Sequence, residues 1–224
     1  MTSDPKLRRT VTEVHHYLLG QLNSAIRRPG AFGGEQTLRL YLDALTFVDN
    51  REQDWHQELA ALRDRGASVS TGVTGAVHHA LGAKAEDVMA SVFAEIAHRN
   101  AWLLLDRSLQ RAEHDHIRRT VDAWCSRNQT LSGTLAEFGP PSIVIGSNNP
   151  LYPKTLGYGT THPDQPLIFL HFWNGTEPGA ASTWPPDHPE PLLLAARHPG
   201  DRFIDEFVFT PTGAHRRQQL GATT

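Results

Sequence analysis

Three Glu-x-x-His pairs are the pattern in this sequence that best suits metal chemistry. They are Glu13 with His16, Glu95 with His98, and Glu113 with His116. Residues three positions apart lie on adjacent turns of a helix, so each pair can present a carboxylate and an imidazole to one ion. Carboxylate-bridged di-iron bundles use two such pairs together with carboxylates from other helices. One interpretation is therefore a metal-dependent enzyme, a non-haem iron oxygenase, whose ligands are Glu95, His98, Glu113 and His116, or a subset of these with Glu13 and His16.

Helical geometry opposes this interpretation. On the first predicted helix, Glu13 and His16 lie roughly 150 degrees from the centre of the apolar face, so they should contact water. If residues 84–128 form one rod, Glu95 and Glu113 share a face but are about 27 Å apart, too far to bind one metal centre. A glutamate and a histidine three residues apart also stabilise an exposed helix locally. We predict no cofactor; an iron site requires a break near Asn100 that produces two antiparallel helices.

A second candidate site lies in two loops of the C-terminal part. Residues 146–154 are rich in Asn, Gly and Pro, and residues 174–190 include four prolines. Such loops present side chains outward, and long loops without secondary structure are commonly functional. If both loops lie at the same end of a sheet, they form a concave mouth for a small molecule or a peptide. The binding candidates at this mouth are Tyr152, Lys154, Tyr158, His171 and Trp184.

The same loops contain groups that could transfer protons. Lys154, Asp187 and His188 are the candidate acid and base groups of a metal-free lyase, isomerase or hydrolase. The alternative is ordinary turn chemistry, with Trp184 covering an edge of the sheet. His171 alternates with Phe169 and Trp173, which favours a buried histidine bonded to the backbone over a base. The sequence leaves open whether the protein is an enzyme.

The elements that would position these residues divide at Gly139-Pro140-Pro141. Before this point the apolar residues recur at helical spacing, which predicts about five helices. Three of them fall within residues 6–66, and a loop with a short helix follows in residues 67–83. Residues 83–132 lack both Gly and Pro and predict one long helix or two abutting ones. Within this segment, residues 101–105 are apolar on all sides and predict a buried helix centre.

After Pro141 the composition becomes typical of β-strands. Five strands are predicted, near residues 142–145, 155–160, 167–173, 192–196 and 203–209, the last two as an antiparallel hairpin that Pro211 ends. The strand at 167–173 is apolar on both faces, so it should be central and covered on each side, with the helices as one cover. The predicted fold is α+β: an N-terminal helical bundle (1–138) packed on a C-terminal, mainly antiparallel sheet (139–213) in one composite domain, with a polar tail (214–224).

Composition limits the classes of partner. Lys and Arg total 21 against 24 Asp and Glu, so the net charge of −3 creates no field that would attract nucleic acid or an anionic membrane. A single cysteine, Cys125, and the absence of any run of 18 apolar residues favour a cytoplasmic protein. Our leading interpretation is a noncatalytic interaction or accessory protein, regulatory or immunity-like, whose β-part loops bind a protein partner or a small molecule. A homodimer stays open.

Overall fold

Helices cover both faces of a five-stranded antiparallel sheet, which confirms the predicted α+β architecture. The computed structural model describes residues 10–82, 85–175 and 185–221. Within these ranges no helix is both long enough and apolar enough to cross a bilayer.

Seven α-helices precede the sheet in the described part of the chain, and an eighth follows it. They are α1 (Val11–Arg27), α2 (Gly34–Val48), α3 (Glu52–Asp64), α4 (Gly72–Leu81), α5 (Glu86–Arg99), α6 (Arg111–Cys125), α7 (Leu131–Phe138) and α8 (Pro211–Gly221). The first helix begins later than the apolar spacing predicts, because Thr10 caps it. The Thr10 hydroxyl accepts the Glu13 N–H, and the Glu13 carboxylate accepts the Thr10 N–H at 2.7 Å.

The strands follow one another in the order β1-β2-β3-β4-β5, each antiparallel to its neighbours. They are β1 (Ile143–Gly146), β2 (Lys154–Tyr158), β3 (Ile168–Trp173), β4 (Leu192–Arg197) and β5 (Phe207–Phe209). In the β2–β3 register Thr155 lies opposite His171. A short 3-10 turn, Phe203–Glu206, precedes β5 within the predicted hairpin.

Alternation along the strands separates two apolar cores. Ile143, Ile145, Phe169 and Ala195 pack with the helical bundle, whereas Leu156, Ile168, Leu170 and Leu193 pack with side chains of α6 and α7. The central strand β3 is therefore covered on both faces, as its composition predicts. Each Phe or Leu side chain that β3 buries stabilises the fold by about 1.5–3 kcal/mol, and β3 buries such side chains in both cores.

The chain passes from one face of the sheet to the other between α5 and α6. The prediction of a buried helix centre at residues 101–105 is wrong, because α5 ends in a left-handed turn at Ala101 (φ 57°). The Trp102 N–H donates back to the Ala97 carbonyl at 2.8 Å, which closes the helix. The Asn23 side chain on α1 then holds the extended segment, donating to Trp102 O at 2.8 Å and accepting from Leu104 N at 2.7 Å.

Helix α8 differs from the predicted hairpin end and polar tail. Its sequence lacks an apolar stripe, and two unusual contacts attach it to the sheet instead. A Cβ on Gly213 would lie 1.9 Å from the Leu194 carbonyl oxygen, so the glycine allows the helix backbone to touch β4. The Arg216 guanidinium stacks over the Trp173 ring, 3.4 Å from its centroid, and is buried there.

Candidate functional site

The Glu-x-x-His pairs of α5 and α6 lie on opposite faces of the sheet. The chain does break after Asn100, as an iron site requires, but α5 packs in the bundle core and α6 in the second core. Glu113 accepts the Gln110 N–H at 2.7 Å and pairs with Arg107 at the start of α6, and His116 is exposed. Within residues 10–82, 85–175 and 185–221, no three His, Cys, Asp or Glu side chains form a group that could hold a metal ion.

His98 is bonded to another part of the chain, and the pair on α1 is exposed to solvent. The buried His98 ring lies with Nε2 2.7 Å from the Thr160 carbonyl oxygen, and burial is the main reason why its pKa falls below its ordinary value. Glu13 and His16 are both exposed, as the helical geometry predicts. The structure therefore brings none of the three pairs together.

Glu95 belongs to an ion-pair network that joins the bundle to the sheet. Arg197, only 1% exposed, donates to Glu206 at 2.8 Å and to Glu95 at 2.9 Å, and Glu206 also pairs with Arg65. Burial would raise the pKa of Glu95, but the charges of Arg197, Arg65 and Arg99 together lower it. Arg65, Glu95 and Arg99 also line a cavity of about 590 Å³ beside α3. Their charges are compensated within the network, so this cavity has no excess of one sign to attract a ligand.

The described parts of the two β-part loops, residues 146–154, 174–175 and 185–190, lie at the same end of the sheet, as the second candidate site requires. Asn174 Nδ2 donates to the Leu151 carbonyl at 3.0 Å and to the His188 carbonyl at 3.1 Å. The His188 ring meets the Trp173 ring edge to face, with centroids 5.4 Å apart. Asp187 is exposed. Trp184 lies outside the described residues.

The loop candidates differ in accessibility. Tyr152 is 41% exposed, but Lys154 turns inward, donating to the Ser147 carbonyl at 3.0 Å and to the Asn149 carbonyl at 2.6 Å. Burial, with the nearby charge of Arg28, lowers the pKa of Lys154. Tyr158 is fully buried, donates to the Gly139 carbonyl at 3.1 Å, and has a pKa raised by burial. Tyr158 is therefore not presented to a ligand, whereas docking of a protein by the loops stays a prediction.

A cavity beside α8 gathers several chemically distinct side chains. We call it the α8 pocket: a space of about 390 Å³ enclosed by α4, the start of α5, the sheet and α8. Its lining includes Leu81, Asp87, His171, Trp173, Phe209 and Arg216. Among the predicted binding residues that the structure describes, His171 is the one that lines this pocket, whereas Asp87 and Arg216 come from helices.

Asp87, Thr155 and His171 form a hydrogen-bonded triad at this pocket. Asp87 lies in the first turn of α5, and this turn contacts strand β2 of the sheet. Thr155 Oγ1 lies 2.7 Å from Asp87 Oδ2 and 2.9 Å from His171 Nδ1. Thr155 and His171 are both buried, and they face each other because β2 and β3 pair in this register. The predicted backbone partner of His171 is wrong: a threonine hydroxyl occupies Nδ1 instead.

Burial shifts the pKa of Asp87 and of His171, the two outer members of the triad. It raises the pKa of Asp87 from 3.8 to about 6, although Thr155 and the N–H groups of Asp87 and Val88 oppose the change. Burial also holds the pKa of His171 well below 6.5, and the charge of Arg197 acts in the same direction. The imidazole is therefore neutral. Its Nε2 is buried and has no hydrogen-bond partner among the described residues.

The arrangement places a neutral imidazole in the lining of a cavity whose wall also includes Glu86, Asp87 and Arg216. His171 stacks on Phe169 with ring centroids 6.4 Å apart and contacts Phe207, so its orientation is fixed. The periodicity of β3 was the signal that placed His171 on this face. No sequence spacing connects it with Asp87, Thr155 or Arg216, which the fold brings together from distant segments.

Comparison with protein-family models, with curated proteins and with solved structures finds no match to this chain. The function is therefore argued from the geometry of the α8 pocket.

Proposed function

We propose that the protein binds a small, largely apolar molecule carrying a hydrogen-bond donor, and that the α8 pocket is its binding site. The observation that supports this most directly is the buried His171 Nε2, for which the described residues supply no partner. Most buried polar atoms in folded proteins are paired, and leaving one unpaired costs about 1–3 kcal/mol. A ligand donor at Nε2 would remove this cost.

The triad defines which kind of polar group the ligand should carry. When Asp87 is ionised it can only accept, so the Thr155 hydroxyl donates to it. The Thr155 oxygen then accepts from His171 Nδ1, which must hold the ring proton. Nε2 of the neutral ring is left with a lone pair, and a ligand O–H or N–H is its complement.

The size and lining of the pocket limit the rest of the ligand. A volume of about 390 Å³ is at the small end of ligand sites and suits a molecule of one or two fused rings. Leu81, Val88 and Phe209 supply apolar contact, and Trp173 supplies an aromatic surface. Glu86 and Arg216 bring charges of opposite sign to the same cavity, so its lining does not select a ligand by net charge.

A pair of probe compounds tests the proposal. We would titrate the protein near neutral pH with 2-naphthol and with 2-methoxynaphthalene, which have the same ring system but only the first of which donates. Calorimetry should give saturable binding of 2-naphthol about tenfold tighter than 2-methoxynaphthalene, since a neutral hydrogen bond contributes about 1.4 kcal/mol. Absence of saturable binding by both compounds, or equal affinity for both, would contradict the proposal.

Two matched variants assign any binding to the pocket. His171→Phe keeps an aromatic ring between Phe169 and Phe207 but removes the acceptor, so the two probes should bind with equal affinity. His116→Phe makes the same change on an exposed face of α6 and should preserve the preference for 2-naphthol. A preference for 2-naphthol that persists in His171→Phe would place the binding site elsewhere.

The proposal includes a cytoplasmic location. The support is the single cysteine, Cys125, which is buried and whose pKa burial raises to about 11, so it stays a reduced, unreactive thiol. Cell fractionation of the source organism with antibody detection tests this, and recovery from a secreted fraction would contradict it.

A further inference from the structure

We propose that Asp87, Thr155 and His171 act as a proton relay, which makes His171 Nε2 a base for the O–H of a weakly acidic ligand such as a phenol or an enol. This inference rests on the proposed binding function, because the relay needs a ligand in the α8 pocket. It adds an activity, removal of a proton from the ligand, that binding alone does not require.

The hydrogen-bond geometry allows one complete arrangement of protons along the triad for each protonation state of Asp87 Oδ2. The Thr155 hydroxyl has one hydrogen but lies within bonding distance of both Asp87 Oδ2 (2.7 Å) and His171 Nδ1 (2.9 Å). With Asp87 ionised, Thr155 donates to it and accepts from Nδ1–H, so Nε2 has a lone pair. With Asp87 protonated, the carboxyl donates to Thr155, Thr155 donates to Nδ1, and Nε2 holds the proton. The tautomer of His171 therefore follows the protonation of Asp87.

The surrounding charges favour Asp87 over the imidazole as the final proton acceptor. On α5 the neighbouring Glu86 raises the pKa of Asp87, and burial has already brought it to about 6. From β4, Arg197 opposes a cationic His171, and it does so while paired with Glu206 and Glu95. From α8, Arg216 lines the same cavity and Arg217 lies over the Phe209 ring. Arg197 therefore disfavours an imidazolium, whereas Glu86 and Arg216 bring opposite charges to the cavity wall.

The transfer conserves atoms and charge. The ligand O–H bond breaks, its proton bonds to Nε2, and the electron pair stays on the ligand oxygen. The Nδ1 proton moves to the Thr155 oxygen, and the Thr155 proton moves to Asp87 Oδ2. The ligand becomes an anion, Asp87 becomes neutral, and His171 and Thr155 end neutral as they began. Arg216 lines the cavity in which the new negative charge forms.

The tautomer of His171 tests the relay without any ligand. Protein labelled with nitrogen-15 histidine would be examined by NMR at about pH 8 and about pH 4.5, on either side of the Asp87 pKa of about 6. We expect a neutral His171 ring at both values, with its proton on Nδ1 at the higher pH and on Nε2 at the lower. The same tautomer at both values, or a doubly protonated ring at the lower one, would overturn the relay.

Variants at the other two positions separate the relay from a general effect of pH. Asp87→Asn has no titratable carboxyl, so the tautomer of His171 should be the same at both pH values. Thr155→Val preserves the shape of the side chain but removes the hydroxyl, so the change of tautomer should disappear, and Thr155→Ser should restore it. A tautomer change that persists in Thr155→Val would overturn the proposal.

Binding of 4-nitrophenol tests the proton transfer itself. Absorption distinguishes the bound phenolate from the phenol, and calorimetry in buffers of different ionisation enthalpy counts the protons released. Wild-type protein should bind the phenolate and retain the proton, whereas Thr155→Val should bind the neutral phenol or release the proton to buffer. If 4-nitrophenol and 2-naphthol both fail to bind, the proposed function fails whatever the tautomers do. If the wild type, like Thr155→Val, binds the neutral phenol or releases the proton to buffer, the relay is overturned but the binding function is not.

Discussion

The substitution Asp87→Asn should stabilise the protein at neutral pH, although it removes part of the candidate site. Asp87 ionises with a pKa of about 6 in the folded protein, against 3.8 for the ordinary carboxyl. Between these values the folded state binds more protons than the unfolded state, so the free energy of unfolding falls as the pH rises. The difference is complete above the folded pKa and corresponds to about 3 kcal/mol. An asparagine carries no charge and does not have this cost.

Because the Asp87 side chain keeps some contact with water, we expect a measured gain of about 1–3 kcal/mol at about pH 8. The assay is urea denaturation of the wild type and the variant at several values from about pH 4 to about pH 8. The two free energies of unfolding should differ least at the acid end, diverge between about pH 4 and about pH 6, and keep a constant difference above that range. Asp64→Asn, at an exposed position at the end of α3, is the matched control and should show no such divergence.

A difference between the two proteins that stays constant with pH would refute the reasoning, since it would mean that Asp87 has the same pKa in the folded and unfolded states. A variant that loses stability as the pH rises would refute it more strongly, because the ionised carboxylate would then be a net stabilising group. Either result would also remove the electrostatic basis for a proton acceptor at this position.

Three further substitutions test the fold that positions the pocket, each by urea denaturation near neutral pH. Ala101→Gly should stabilise the protein by about 0.5–1 kcal/mol, because glycine adopts the left-handed turn without a steric cost; a loss of stability would contradict the assigned helix end. Gly213→Ala should destabilise it by more than about 2 kcal/mol, since the new methyl group collides with the Leu194 carbonyl and separates α8 from the sheet; an unchanged midpoint would show that α8 packs differently. Glu206→Gln should cost about 3–5 kcal/mol by leaving Arg197 buried with only one carboxylate partner, and a loss below about 1 kcal/mol would contradict the network.

The sheet was predictable because its strands follow simple rules. The two-faced apolar pattern of residues 167–173 placed β3 at the centre, and the Pro and Gly residues around it marked the loops. The end of α5 was not predictable from composition, because Ala101 occupies a left-handed position that usually holds glycine. Of the apolar residues after it, Trp102 and Leu103 are buried in an extended segment that Asn23 holds rather than in a continuing helix, and Leu104 is exposed.

The candidate site was predictable only in part, for a different reason. Strand periodicity directed His171 toward the bundle, but Asp87 and Thr155 approach it through pairing and packing that no local spacing encodes. Helix α8 contains few apolar residues, since its contacts are the bare backbone at Gly213 and the stacked guanidinium of Arg216. A polar sequence can therefore form a packed helix when a glycine and an arginine replace the usual apolar stripe.

The position of α5 along the chain has a consequence for biosynthesis. Its side chains are buried on nearly every side, including Val88, Phe93 and Ile96, and part of their cover is the sheet formed by residues 143–209. A ribosome releases α5 before any of these strands exists, so the nascent bundle has one apolar face open until the C-terminal third is made. Such exposed surfaces attract chaperones and other unfolded chains. The newly made protein therefore remains prone to aggregation until the late strands are synthesised, even after the early helices have formed.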